Sequence, residues 1–292
     1  MSKYVVSEDI CVLLSLWAKK YGFLPPQPQF LRGLRTAMKN ELERIFGQGK
    51  IDFLEADHLI IGLKKLTAES GLMPVSLDKS YFFTNHQIEM TRAVDANLAD
   101  CGESERFGQE KLETQIQKLS LVLPSEIALV DDVIFSGNGI IRLINLFAQR
   151  KIAVKKIIAG ISIGEGREKI QKLGAEVVSV FHYANVIDEI CERDFYPGVP
   201  LSGRYVSNQT KETGAPYLYP FGKPTEWASI PPEQAENFSR FCLRQTANLW
   251  RHIGSISGKE VFSQDIWRLP IGLNGSPSCF ASQLEALLPG EV

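Results

Sequence analysis

The chain has 292 residues, 44% of them hydrophobic and 23% charged, which is the composition of a soluble globular protein with enough apolar side chains for a sizeable core and argues against wholesale disorder. A formal net charge of −2 and a pI near 6.2 lack the basic excess of a nucleic-acid binder and leave room only for a local basic pocket. The five scattered cysteines, Cys11, Cys101, Cys191, Cys242 and Cys279, include no CxxC pair and are odd in number, so neither a disulfide framework nor a zinc site is indicated and a reducing cytoplasm is the expected setting.

Residues 7–20 place Ile10, Leu13, Leu14 and Trp17 at the spacing of one helix face, with Ser7 as N-cap. The apolar stretch Ile10 to Ala18 is too short to span a bilayer and has no small-residue cleavage site, so a helix packed on the domain is expected rather than a signal peptide or membrane anchor. Pro25, Pro26 and Pro28 break the chain before a second helix, from about Gln29 to Phe46. Its stripe is Phe30, Leu34, Ala37, Met38, Leu42 and Ile45, and Gly47 and Gly49 mark its end. Residues 1–50 therefore read as an N-terminal helical cap. Leu59 to Gly62 fits either a short strand or the opening of a helix through Ser70, and periodicity does not decide between them. Pro74 to Leu77 and Tyr81 to Thr84 read as short strands, and the charged stretch 100–118 as a loop placed where a lid would be useful.

The centre of the chain is clearer. Apolar runs at Ile127 to Val130, Val154 to Ile163 and Val177 to Phe181 alternate with helical patterns at Gly139 to Arg150 and Arg167 to Leu173. Buried strands separated by helices are the pattern of parallel βαβ units, so an α/β core over 51–205 is expected. After Tyr205 the composition shifts to Pro, Gly and aromatics through PYLYPFGKPTEWASIPP. A long helix then begins near Ser229, Pro231 and Pro232 with the stripe Ala235, Phe238, Cys242, Leu249 and Ile253. Residues 206–292 read as a C-terminal extension built on that helix.

The chemically informative segment is IALVDDVIFSGNG, Ile127 to Gly139. If Ile127 to Val130 is a central strand, Asp131 and Asp132 emerge at its carboxyl end, where open α/β sheets bind ligands. Two adjacent buried acids are costly without a cation or hydroxyl donors. The short loop Phe135 to Gly139 then turns into a helix, and its small residues let backbone N–H groups approach an anion at the positive end of the helix dipole. An ordinary strand-to-helix turn uses the same residue types.

This segment resembles the thirteen-residue signature of type I phosphoribosyltransferases, which runs through four apolar residues, two acids, two apolar residues and a small phosphate-binding loop. The resemblance implies a parallel-sheet type I phosphoribosyltransferase-like fold and a site for phosphoribosyl pyrophosphate (PRPP) with Mg²⁺. By it, Asp131 and Asp132 contact the ribose hydroxyls and help hold the metal, and Phe135, Ser136, Gly137, Asn138 and Gly139 form the 5-phosphate loop. Two positions depart from the pattern: Phe135 stands where a small or acidic residue is usual, and Gly139 replaces a Thr or Ser. GEGREKIQKLGAEVVSVF, residues 164–181, also resembles the stretch that follows the signature in orotate phosphoribosyltransferases. Together the resemblance covers about residues 120–182.

Further roles follow by analogy with that family. CERDFYPGVPLSGR, residues 191–204, offers Asp194 and Arg204 for base, metal or pyrophosphate, with an exposed loop ion pair as the alternative. Lys64, Lys65, Lys79 and Arg92 are the places to look for a pyrophosphate contact that would neutralise charge on the leaving group. Trp227 and Phe221 are candidates for stacking on a base, although a core role fits such aromatics as well. His58, His86, His182 and His252 have no metal-ligand spacing. The resemblance implies small-molecule partners, PRPP with a nucleobase or nucleoside monophosphate, and a homodimer, since dimers are common in the family. A PRPP- or nucleotide-binding regulator without turnover, or a structural module on an α/β scaffold, would share the same sequence pattern.

Overall fold

The structure is a computed structural model that describes residues 2–275 and 277–288, so the last four residues of the C-terminal extension lie outside the described residues. In chain order the elements are β1 (Lys3–Ser7), α1 (Ile10–Tyr21), α2 (Pro28–Phe46), β2 (Ile51–Leu54), α3 (Ala56–Ser70), β3 (Met73–Ser76), β4 (Met90–Val94) and β5 (Asp100–Glu105). They continue with α4 (Leu112–Leu119), β6 (Glu126–Ile134), α5 (Asn138–Ala148), β7 (Ala153–Ile163), α6 (Gly164–Gln171), β8 (Glu176–Tyr183) and β9 (Val186–Cys191). The last are β10 (Arg204–Val206), β11 (Thr213–Ala215), α7 (Pro224–Trp227), α8 (Pro232–Ser257), β12 (Leu269–Pro270) and α9 (Phe280–Glu285).

The chain is α/β, with a parallel sheet in the order β3-β6-β7-β8 at its centre. Ile127, Leu129, Ile157, Ala159 and Val177 face a cluster completed by Leu112 and Ile116 of α4, by Ile140, Leu143 and Phe147 of α5 and by Ile170 of α6. Ala128, Val130, Ile158 and Ile161 face the opposite cluster, with Leu59 and Leu63 of α3. Helices on both faces explain why these strands read as continuous apolar runs rather than alternating ones. The 56–70 segment is a helix along its whole length, which closes the alternative left open by its periodicity.

Several local expectations are corrected. Ser7 ends strand β1 instead of capping a helix, and β1 is the middle strand of a parallel β2-β1-β9 sheet, so the first fifty residues are not purely helical. Asp9 takes the N-cap position of α1, but its carboxylate makes no capping bond there. Tyr81 to Thr84 is a loop rather than a strand. The carboxylate of Asp78 accepts the backbone N–H groups of Ser80, Tyr81 and Phe82 at 2.6, 2.5 and 2.7 Å, which curls the chain where a strand would extend it. The charged stretch 100–118 is not one loop. Asp100–Glu105 forms a hairpin with β4, and Leu112–Leu119 is a helix that buries Leu112 and Ile116.

A third sheet, β12-β11-β10-β4-β5, joins that hairpin to segments from the C-terminal third. The two ends of the chain share one apolar cluster, with Trp17 of α1 edge-on to Trp250 of α8 at 5.0 Å. Tyr4 Oη also donates to the carbonyl of Ala228 at 2.8 Å. No helix among the described residues is long and apolar enough to cross a membrane.

Candidate functional site

The carboxyl ends of β3 and β6 do not coincide. Pairing between them stops at Ser76 with Val130, while β6 runs on through Ile134, held on its other side by β7. Beyond Val130 one edge of β6 is therefore open, and Asp131 and Asp132 lie on that free stretch, still within the strand rather than past its end. The open edge forms one wall of a cleft of about 430 Å³, which Asp131, Asp132, the loop 135–139, Lys79, Arg92, Asp194 and Arg204 all line. Lys64 and Lys65 lie on the exposed face of α3 outside it, and Phe221 is buried in the core.

The paired acids are poorly neutralised by protein. Burial, then the neighbouring Asp132 and Asp78, push the Asp131 carboxyl well above the usual carboxylate range. Asp78 is itself raised to about 6 by burial and by Asp132. Among the described residues the guanidinium paired with Asp132 is that of Arg193, whose Nη2 lies 3.6 Å from its Oδ2. A cation arriving with a ligand would relieve this crowding.

Next to the acids the chain makes a tight turn into α5. Gly137 occupies the left-handed region, φ 76°, at the N-cap position of that helix, a conformation that favours glycine. A Cβ on Gly166, at the start of α6, would lie 2.3 Å from the Phe135 carbonyl and 3.0 Å from the Gly137 nitrogen, so the second glycine of GEG is needed because α6 abuts the loop. The first N–H groups of a helix have no intrahelical acceptor and carry the positive end of its dipole. Together with the Ser136 hydroxyl they form a cradle for an anion. Gly139 also has a packing reason: a Cβ there would come within 3.3 Å of Met90 Cε and 3.4 Å of the Glu103 side chain, both on the β4-β5 hairpin.

Lys79 is carried into the cleft by the turn that Asp78 pins. Its Nζ donates to Gln87 at 3.1 Å and pairs with Glu89, which also lies 3.6 Å from Arg106. Arg106, at the end of the hairpin, is lowered to about 10 by burial and then by the positive charges of Arg268 and Arg193, and its buried Nε makes no hydrogen bond, with Glu89 its ion-pair neighbour. Arg193 is tied down from several sides: it pairs with the fully buried Asp9, whose Oδ1 accepts the Arg193 backbone N–H at 3.0 Å, and it approaches Ser80 at 3.5 Å. Asp194 points partly inward, accepting the Gly203 N–H at 2.8 Å, which fastens the turn before β10.

Arg106, Arg193, Asp188 and Glu189 line the cleft as well, although the sequence did not single them out as site residues. The available signal for the last two was the placement of two acids in VIDEIC, a run that otherwise reads as a buried strand. Burial, then Asp132, push Glu189 to about 8 against the hydrogen bond from Ser7. Its folded pKa lies above its ordinary value of 4.5, so the folded state binds the extra proton. The associated stability is fully present below about pH 4.5 and is lost as pH rises through about 8. The melting temperature is expected to fall between pH 6 and 9, and to fall less in Glu189→Gln, which mimics the protonated acid. Equal slopes in thermal denaturation across that range would assign the pH dependence to other groups.

No protein-family profile matches the chain, and no curated protein matches it. Solved structures similar to it include the orotate phosphoribosyltransferase of Aeropyrum pernix, with 16% identity, 44% of this chain and 68% of that chain covered, and a TM-score of 0.26. The APRTase of Giardia lamblia complexed with 9-deazaadenine gives 16%, 44%, 80% and 0.30. Mycobacterium tuberculosis H37Rv orotate phosphoribosyltransferase in complex with inorganic phosphate gives 14%, 44%, 70% and 0.27. At such identities and scores the likeness is too slight to bear on what this chain does.

Proposed function

We propose that the cleft binds PRPP with Mg²⁺ and transfers the phosphoribosyl group to a ring nitrogen of a heterocyclic base, releasing pyrophosphate. The observation that carries this reading is the juxtaposition on β6: paired acids on an open strand edge, one turn away from a helix start that cradles an anion. In the proposed complex Asp131 and Asp132 receive the ribose hydroxyls, and Ser136 to Gly139 receive the 5-phosphate. Lys79 and Arg106, beside the carboxyl end of β3, meet the pyrophosphate.

Among the described residues no three acid, cysteine or histidine side chains form a metal cluster. Two carboxylates suit Mg²⁺, which keeps its waters and completes its shell with substrate phosphates. When bound it would neutralise charge on the pyrophosphate. The chain's own residues fix the sugar and its phosphate so that the anomeric carbon faces the acceptor nitrogen. As the C–O bond to pyrophosphate breaks and the C–N bond forms, the cationic groups stabilise the charge that develops on the leaving oxygen. The acceptor's N–H proton passes to solvent or to a carboxylate of the cleft.

A second reading, a PRPP- or nucleotide-binding regulator without turnover, draws support from two contacts: Lys79 is already paired with Glu89, and Glu103 lies beside the phosphate cradle. Titration with PRPP, pyrophosphate and nucleoside monophosphates, with and without Mg²⁺, should raise the melting temperature, because a ligand bound only by the folded state stabilises it. Consumption of mass-labelled PRPP with a panel of bases then separates the readings. Binding with consumption supports the transferase, binding without it the regulator, and no response to any of these ligands overturns both.

A further inference from the structure

The start of α5 already has an acid leaning on it. A Cβ on Gly139 would come within 3.4 Å of both Cγ and Cδ of Glu103, so the missing side chain at 139 is what lets Glu103 sit so close. Glu103 lines the cleft together with Asn138, Gly139 and Ile140, and among the described residues its carboxylate has no hydrogen-bond or ion-pair partner. An acid at that place suits the positive end of the helix dipole, as a phosphate would. The backbone behind it is pinned: the Glu103 carbonyl accepts a hydrogen bond from Arg142 Nη1 of α5 at 2.8 Å, while Arg142 Nη2 donates to Glu113 at 3.0 Å. The hairpin is thereby tied to the helix that carries the cradle, and Glu103 can clear the cradle by turning its side chain.

We infer that Glu103 is an internal competitor for the phosphate cradle, and that an incoming phosphate displaces its carboxylate across the hairpin to Arg92. The inference rests on the phosphoribosyl reading of the cleft and adds to it how access to the phosphate loop is controlled.

The receiving group is in place. Arg92 stands directly opposite Glu103 in the antiparallel β4-β5 ladder, and residues paired in that way have Cβ atoms about 4.5–5.5 Å apart on the same face. Arg92 is exposed on the cleft wall and, among the described residues, makes neither a hydrogen bond nor an ion pair. A change of rotamer at Glu103 would therefore exchange its place at the helix start for a charge-assisted pair with a guanidinium that has no other commitment. While Glu103 stays, its charge repels a phosphate from the loop. Inorganic phosphate has only the cradle with which to offset that repulsion. A phosphoribosyl ligand also engages Asp131 and Asp132 through its sugar, and those contacts supply the free energy that moves Glu103. The arrangement would thus turn away small free anions and admit the sugar phosphate.

The test titrates the full chain calorimetrically with inorganic phosphate and with ribose 5-phosphate at about pH 8, well above the ordinary range of a carboxyl. Glu103→Gln keeps the shape of the side chain and removes its charge, and it is expected to bind both probes about tenfold or more tighter than the wild type. Glu103→Ala should show a similar gain, which separates removal of the competitor from any contact made by the new amide. Arg92→Gln should weaken ribose 5-phosphate by about threefold or more in the wild-type background and by less than about twofold in Glu103→Gln, where no displaced carboxylate needs a partner. Neither Glu103 nor Arg92 has a side-chain partner to lose, and the melting temperature without ligand checks that each variant is folded. Equal affinities in the wild type and both Glu103 variants overturn the proposal and leave the phosphoribosyl reading standing. An equal loss from Arg92→Gln in both backgrounds overturns it too, because Arg92 would then hold the phosphate itself. If wild type and variants alike bind no phosphate, ribose 5-phosphate or PRPP, the phosphoribosyl reading falls and the competitor with it.

Discussion

In the double variant Asp131→Asn with Asp132→Asn, the rise in melting temperature on adding PRPP and Mg²⁺ is expected to vanish, while the ligand-free protein melts at the same temperature or higher. Both halves come from one piece of electrostatics. Asp131 is destabilised by burial and by its acidic neighbours Asp132 and Asp78, so its negative charge opposes folding. Asparagine removes that charge and keeps the carbonyl oxygen that accepts a local backbone N–H, from Asp132 at 3.0 Å in one case and from Val133 at 2.8 Å in the other. Because the folded-state pKa of Asp131 is raised, ionising it becomes a growing liability as pH increases, and the advantage of the variant should widen in the same direction. Losing Asp132 also takes one partner from Arg193, but Arg193 keeps Asp9 and Asp194. For the ligand the balance is reversed, since the two carboxylates are its contacts to sugar and metal. At a PRPP concentration 100 times Kd the wild type should gain about 2.7 kcal/mol, so loss of binding removes a shift of several degrees. An unchanged PRPP response in a folded double variant would place the sugar pocket elsewhere.

The second large effect is expected at Arg193, the group on which the acidic side of the cleft is hung. Asp9 is fully buried, and Arg193 supplies both its charge partner and a backbone N–H. Burial already holds Asp9 at about 7 with Arg193 beside it, so Arg193→Met should cost up to about 3–5 kcal/mol as pH rises above 7, where it strands a carboxylate away from water. That corresponds to a fall in melting temperature of roughly 10 °C or more in a chain of this size. Asp9→Asn added to Arg193→Met should restore part of the loss, since the stranded charge is then gone. Thermal denaturation of the two single variants and the double variant closes the cycle. Strictly additive losses would show that Arg193 and Asp9 act independently. Since Arg193 also lies beside Asp132, PRPP affinity should fall in the single variant even under conditions where it remains folded.

The expectations from local pattern and the final structure diverge at particular residues. Ile127 to Val130, Val154 to Ile163 and Val177 to Phe181 were readable because both faces of those strands are covered, so every position is apolar. The helix stripes at 10–17, 34–42 and 235–253 were readable because each buries one face. Lys3–Ser7 was missed because its apolar core is only three residues long, and its partners Ile51–Leu54 and Val186–Cys191 lie far along the chain. The β4-β5 hairpin was hidden by its exposed, charged second strand, DCGESE. Within the cleft, Asp131, Asp132 and the 135–139 loop were legible as a motif because they are contiguous. Arg106, Arg193 and Glu189 were not, since each owes its position to packing between distant elements.

Hydrophobic periodicity and turn chemistry act between near neighbours, and they suffice for the α/β class, the parallel central strands and the order of acids, turn and helix start at 131–139. That β6 outruns β3 and leaves its acids on an open edge was settled by long-range packing. Such packing alone brought Lys79, Arg92, Arg193 and Arg204 to the same cleft and closed the two ends of the chain into one core. Those outcomes depend on the register of strands from separate segments and on which buried charges find partners, and neither is encoded in the spacing of any single stretch.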